Sequence, residues 1–184
     1  MKLVRREELL DWMTWNDRRP EVLPEILAAK SVRRVHLGNE LTLLFENADT
    51  VRYQIQEMMR VERLVRESDI LHELETYNEL LGGAGELAAT LLIEIDDPLR
   101  RAELLPRWLD LPRRIYLALP DGQRVFARVD ERQIDSERLS AVQYLRFDTR
   151  GQTPQALGTD FPELADEVPL AEAQRAALAE DLRS

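Results

Sequence analysis

The sequence has no cysteine among its 184 residues, which removes disulfides, thiolate metal ligands, iron-sulfur ligation and cysteine nucleophiles together. A reducing compartment agrees with that inventory. Histidine is nearly as scarce, with only His36 and His72, so the two Glu-x-x-His pairs of a carboxylate-bridged di-iron bundle cannot be completed. No stretch approaches the roughly 18 apolar residues of a membrane span, and the charges in Met1-Lys2-Leu3-Val4-Arg5-Arg6-Glu7-Glu8 interrupt any signal-type apolar region. The expectation is a cytoplasmic protein without membrane contact. Basic residues are outnumbered 25 to 35, giving a net charge of −10, which argues against a nucleic-acid partner because phosphate neutralisation needs a concentrated basic surface. Also missing are a Gly-x-Ser-x-Gly elbow, a His-Glu-x-x-His pair and a Gly-x-x-x-x-Gly-Lys-Ser/Thr loop.

What is present is a globular composition, 44% hydrophobic and 33% charged, in a length that suits a single domain over residues 1–184. Leu9, Trp12 and Met13 form one apolar stripe on a short helix over residues 5–13, and Pro24 suits the first turn of a second helix to about Lys30 that buries Ile26 and Leu27. Residues 1–31 thus read as a helical N-terminal segment. Val35 and Leu37, then Leu41, Leu43 and Phe45, alternate around Gly38-Asn39 as a hairpin with a two-residue turn. Two amphipathic helices follow at about 50–65 and 68–81, ended by Gly82-Gly83-Ala84-Gly85. The segment Glu86 to Ile95 is apolar on both faces, as a central strand is. Asp96 or Asp97 can cap a further helix begun by Pro98, Pro120-Asp121-Gly122 joins two more strands, and Val142 to Phe147 alternates as the last. The sum is an α+β fold: a mainly antiparallel sheet of five or six strands with two central amphipathic helices and terminal helices packed on it. Residues 151–184, with Pro154, Pro162 and Pro169 and a helix at about 170–182, read as an extension docked on the body by Leu170, Ala173, Ala177 and Leu178.

Three groups carry candidate chemistry. Val51, Ile55, Met58 and Val65 share one helical stripe, and at about 100° per residue Glu62 points within about 20° of Val51, which predicts a buried carboxylate needing a partner. Such a group serves as a metal ligand or a general acid, or is held by Arg52, Arg63, Arg66 or a tyrosine hydroxyl. Glu57, Asp69, His72 and Glu73 make a possible polar or metal cluster with it, although His72 projects away from the Ile70, Leu74, Tyr77 stripe. Lys30, Arg33 and Arg34 are the densest basic patch, fit for an anion or an acidic partner, or for pairing with some of the many carboxylates. The acidic run Glu94, Asp96, Asp97 lacks the spaced ligands of a calcium loop.

The run from Arg33 to Asn47, centred on Val35-His36-Leu37-Gly38-Asn39-Glu40, the segment from Val51 to Arg60, and the blocks Glu73-Leu74-Glu75-Thr76-Tyr77-Asn78, Ala89 to Ile95 and Ala141-Val142-Gln143-Tyr144-Leu145-Arg146-Phe147 together resemble an uncharacterised bacterial family catalogued as a domain of unknown function. The resemblance covers most of the chain. Members of that family are commonly encoded beside rubrerythrin-like and iron-sulfur oxidoreductase-like proteins, which implies a peroxide-defence or redox setting but no activity and no catalytic residues, and His72 lies outside the motif. The leading expectation is a non-catalytic accessory or partner-binding protein of a redox or oxidative-stress system, with no cofactor of its own and a redox-system protein as partner. The alternative is a small carboxylate-rich protein or enzyme that binds a divalent metal or iron. A small-molecule sensor would need a cavity, and an exposed sheet edge would favour a homodimer.

Overall fold

The computed structural model describes residues 3–130 and 137–184. In chain order the described helices are α1 Trp12–Ser31, α2 Ala48–Glu62, α3 Glu67–Asn78, α4 Pro98–Arg107 and α5 Glu172–Asp181. The described strands are β1 Arg34–Leu37, β2 Leu41–Glu46, β3 Glu86–Ile93, β4 Ile115–Ala118, β5 Arg124–Phe126, β6 Arg128–Val129, β7 Val142–Asp148, β8 Ala156–Thr159 and β9 Asp166–Pro169. They form two antiparallel sheets, ordered β1-β2-β3-β7-β6 and β5-β4-β8-β9. The architecture is α+β as the periodicity predicts, but the single sheet is two.

The two sheets share one core. Leu43, Phe45, Leu91, Leu145 and Phe147 from the first meet Ile115, Leu117 and Leu157 from the second, with Trp108 after α4 and Leu178 of α5 added. Alternation explains which residues these are, since every second position of β2, β3 and β7 faces the same side. The chain changes sheets at Ala127, whose N–H bonds to the Ile115 carbonyl while β5 before it and β6 after it pair with different sheets. On the opposite flank β1 lies against β8 and β9, so the sheets enclose the core from both sides.

A second core lies among α2, α3 and the N-terminal segment, built from Val4, Leu9, Val51, Ile55, Met59, Ile70, Leu74 and Leu81. Two side-chain amides fasten the segment backbone there. Gln56 accepts from Leu10 N–H at 2.7 Å and donates to its carbonyl at 3.1 Å, and Asn78 does the same for Val4, both bonds at 2.9 Å.

Several local expectations change. A helix over 5–13 is absent: Arg6–Glu8 makes a single 3-10 turn, and α1 starts after Asp11, whose carboxylate accepts from the N–H groups of Met13 and Thr14. Pro24 lies inside α1 instead of opening a second helix, and Pro20 lies inside it as well. Both fall on its exposed side one turn apart, where the carbonyls freed at Asn16 and Pro20 belong to exposed residues. Ile26 is buried as expected, but Leu27 and Met13 are exposed. The hairpin loop holds three residues between Leu37 and Leu41, with Gly38 at φ +63°. The largest departure is in residues 151–184, which supply β8 and β9 to the second sheet as well as the expected terminal helix.

Candidate functional site

The face of the first sheet turned away from the shared core is the one the helices α2 and α3 leave partly open. Strand register sets its side chains in rungs: Arg34, Leu44, Thr90 and Tyr144 form one, and His36, Thr42, Leu92 and Val142 the next. Glu46, Ala88, Arg146 and Arg128 form a third on the other side of the first. Val51 and Gln54 of α2 and Tyr77 and Leu80 beside them overhang this surface and leave a cleft of about 300 Å³, entered beside Lys30 and Arg34. A wider cleft of about 860 Å³ continues past Tyr77, Leu80 and Tyr144 toward Glu73, Glu86 and Arg128.

The polar groups of the smaller cleft are specific. The Glu46 carboxylate accepts from Thr50 Oγ1 at 2.5 Å and from Thr90 Oγ1 at 2.7 Å. Burial pushes the Tyr144 phenol above its ordinary value, and the Glu46 charge adds to that. Burial also raises Tyr77, against a lowering hydrogen bond with Gln54, and Glu73, Tyr144 and Glu62 push the same way as burial. Both phenols therefore stay protonated and able to donate at neutral pH. Lys30 Nζ stands 4.8 Å from the Tyr53 ring centroid, and neither Lys30 nor Arg34 has a carboxylate within ion-pair distance among the described residues.

The three basic residues of the patch thus separate. Arg33 turns inward, donating from Nε and Nη2 to both Asp181 oxygens at 2.8 Å and from Nη1 to the Ala29 carbonyl, while Asn47 Nδ2 donates to the same carboxylate. Its hydrogen bonds to Asp181 outweigh burial and hold its guanidinium above the ordinary value. Only Lys30 and Arg34 remain for an external anion.

Glu62 is exposed, which corrects the expectation of a buried carboxylate. The buried stripe of α2 runs through Val51, Ile55 and Met59, not Met58, and the helix stops at Glu62 because Arg63 adopts the left-handed conformation while Leu64 N–H bonds to the Met59 carbonyl. Nor is the metal cluster assembled. Glu57 accepts from Trp15 Nε1 at 2.9 Å, from Arg19 at 2.9 Å and from Arg60 at 3.2 Å. Burial alone would raise its carboxyl; hydrogen bonds from Arg60, Trp15 and Arg19 overcome that and hold it below the ordinary range. Two guanidiniums occupy it as a structural anchor between α1 and α2. Asp69 and His72 are exposed, Glu73 is half-buried on the wall of the wider cleft, and no three His, Asp or Glu side chains among the described residues are grouped to hold a metal ion.

Sequence reasoning missed two arrangements. Tyr77, Tyr144, Glu46 and Thr90 converge only because α3 folds back over the sheet; the alternation that puts Thr90 and Tyr144 opposite the core face was the available signal. The other is a chain in which Thr42 Oγ1 donates to Glu94 at 2.5 Å and accepts from His36 Nδ1 at 2.8 Å. Since the threonine proton goes to the carboxylate, the His36 ring must carry its proton on Nδ1.

No curated protein matches the chain. A crystal structure of a protein of unknown function from Burkholderia pseudomallei is similar, with a TM-score of 0.90 and 32% identity over 98% of this chain and 100% of that one. The family model described as "Protein of unknown function (DUF3501)" matches residues 3–182. With nearly its whole length matched, the chain belongs to that family of unknown function.

Proposed function

We propose that the protein is a non-catalytic accessory protein of a bacterial redox or oxidative-stress system, recognising its ligand or partner through the cleft between the outer face of the first sheet and α2–α3. The observation that carries the reading is the cleft: an apolar floor of Leu44, Leu92 and Val142 edged by Lys30, Arg34, Glu46 and two tyrosines, the mix typical of recognition sites. The redox setting is supported by the resemblance of residues 33–47 and 141–147. Cofactor chemistry would then belong to the partner.

A bulky residue in the floor tests this. Val142 is 41% exposed on β7, so Val142→Trp fills the cleft while keeping a residue type that strands accept. The native host lacking the protein is expected to survive peroxide less well, and wild type, but not Val142→Trp, is expected to restore survival and to co-purify a redox protein. Unchanged survival in the deletion strain, or full rescue by Val142→Trp, refutes the reading.

A further inference from the structure

We propose that the smaller cleft seats a small carboxylic acid that bears an amino or hydroxyl group beside its carboxylate and carries an apolar body. This deepens the accessory reading and rests on the same cleft. The argument begins with charges that are present together and do not neutralise one another. Lys30 and Arg34 line the cleft without a carboxylate partner among the described residues, on a chain whose net charge is −10. In so acidic a molecule unpaired cations at a cleft are where an organic anion is drawn, and the forked guanidinium of Arg34 matches a carboxylate.

Glu46 supplies the opposite half. An ionised carboxylate has about four acceptor sites, and Thr50 and Thr90 use two of them. The remaining capacity suits an ammonium or hydroxyl donor of the ligand. Arg34 pairs with Leu44, and Glu46 lies two residues further along β2 on the same face. Diagonal neighbours of this kind are about 7–8 Å apart, a gap that long side chains close to the span of a small bifunctional acid. Glu46 would repel a plain anion, so the donor beside the carboxylate decides the ligand class. Leu92 and Val142 on the floor and Leu80 above take the apolar body. The Tyr77 and Tyr144 rings also line the cleft, and the 300 Å³ volume falls at the small end of ligand sites.

Calorimetric titration with four probes of one size tests the assignment: 3-phenyllactate and phenylalanine hold both features, 3-phenylpropanoate lacks the donor, and phenylalaninamide lacks the carboxylate. The first two are expected to bind, with the amide weaker by about tenfold or more and the donor-free acid weaker by a smaller factor. Arg34→Gln, at an exposed position, is expected to weaken the acids about tenfold. Glu46→Gln is expected to erase the preference for a donor. Equal binding of the amide, indifference to Arg34→Gln, or no heat from any probe at millimolar concentration overturns the proposal. Peroxide rescue by wild type together with no probe binding would remove the ligand class and keep the accessory reading, whereas probe binding without a peroxide phenotype would do the reverse.

Discussion

Glu57 and Glu62 lie on the same helix and exchange the roles that helical arithmetic gives them. Glu62, placed by angle on the apolar stripe, is exposed at the helix end, and Glu57, outside that stripe, is the half-buried carboxylate gripped by Trp15, Arg19 and Arg60. Because the folded state depresses the Glu57 value below its ordinary 4.5, the folded protein binds fewer protons there than the unfolded chain, so its contribution to stability is present above that value and is lost as pH falls below it. Glu57→Gln keeps the shape and removes the charge. Urea midpoints of wild type and variant should therefore differ at pH 7 and draw together as pH falls from 4.5 through the depressed folded value; a gap unchanged across that range would show that the ionised carboxylate is not the anchor. The stripe was legible as far as Val51 and Ile55. What the sequence could not display was the left-handed Arg63 that ends the helix, or Trp15 and Arg19, which reach Glu57 from another helix.

Strands β8 and β9 show the same division at the scale of elements. The hairpin of β1 and β2, the central β3 and the Pro120-Asp121-Gly122 turn are visible in alternation and turn chemistry, since each is a local pattern. In β8 the run Ala156-Leu157-Gly158-Thr159 is short and contains glycine, and β9 ends at Pro169, features that argue against strands when read alone. Their context reverses the argument: β9 is the sheet edge, where proline is tolerated, and Gly158 lies under the Tyr116 ring, which covers it from β4. A Cβ on residue 158 would sit 2.5 Å from Tyr116 Cζ. The ring has little freedom to move, because its hydroxyl donates to Glu167 at 2.8 Å and Arg124 lies 4.3 Å from its centroid. Gly158→Ala is expected to cost about 1–3 kcal/mol by overpacking. The double variant with Tyr116→Ala should cost less than the sum of the two single changes, since both act on one contact. Strict additivity in denaturant melts would show that the ring is not what excludes a side chain there.

At the scale of the molecule the described residues build two cores, one between the sheets and one among α2, α3 and the N-terminal segment, and the open cleft lies where the second meets the outer face of the first sheet. A cleft at that junction would let the helical layer melt alone if nothing bridged it, but the connections around it oppose this. Glu46 ties β2 to Thr50 of α2, Arg146 of β7 donates to the Glu79 carbonyl after α3, and Arg33 and Asn47 converge on Asp181 of α5. Helix α5 closes the arrangement: Leu178 is fully buried in the inter-sheet core, and Gln174 Nε2 donates to the Arg34 carbonyl at 2.7 Å, fastening the backbone that presents Arg34 to the cleft. Leu178→Ala should therefore destabilise by about 2–5 kcal/mol, as expected for a large-to-small change in a core, and it should do so for both layers together. Two tryptophans report them separately, Trp108 in the inter-sheet core and Trp15 on α1 bonded to Glu57 of α2. In variants retaining only one of these indoles, with phenylalanine at the other tryptophan positions, urea transitions should coincide before the Leu178 change and shift by the same amount after it. A Trp15 transition that stays in place while the Trp108 transition moves would mean that the helices fold independently of the sheets, and that the cleft is a boundary between two folding units instead of a site held by one.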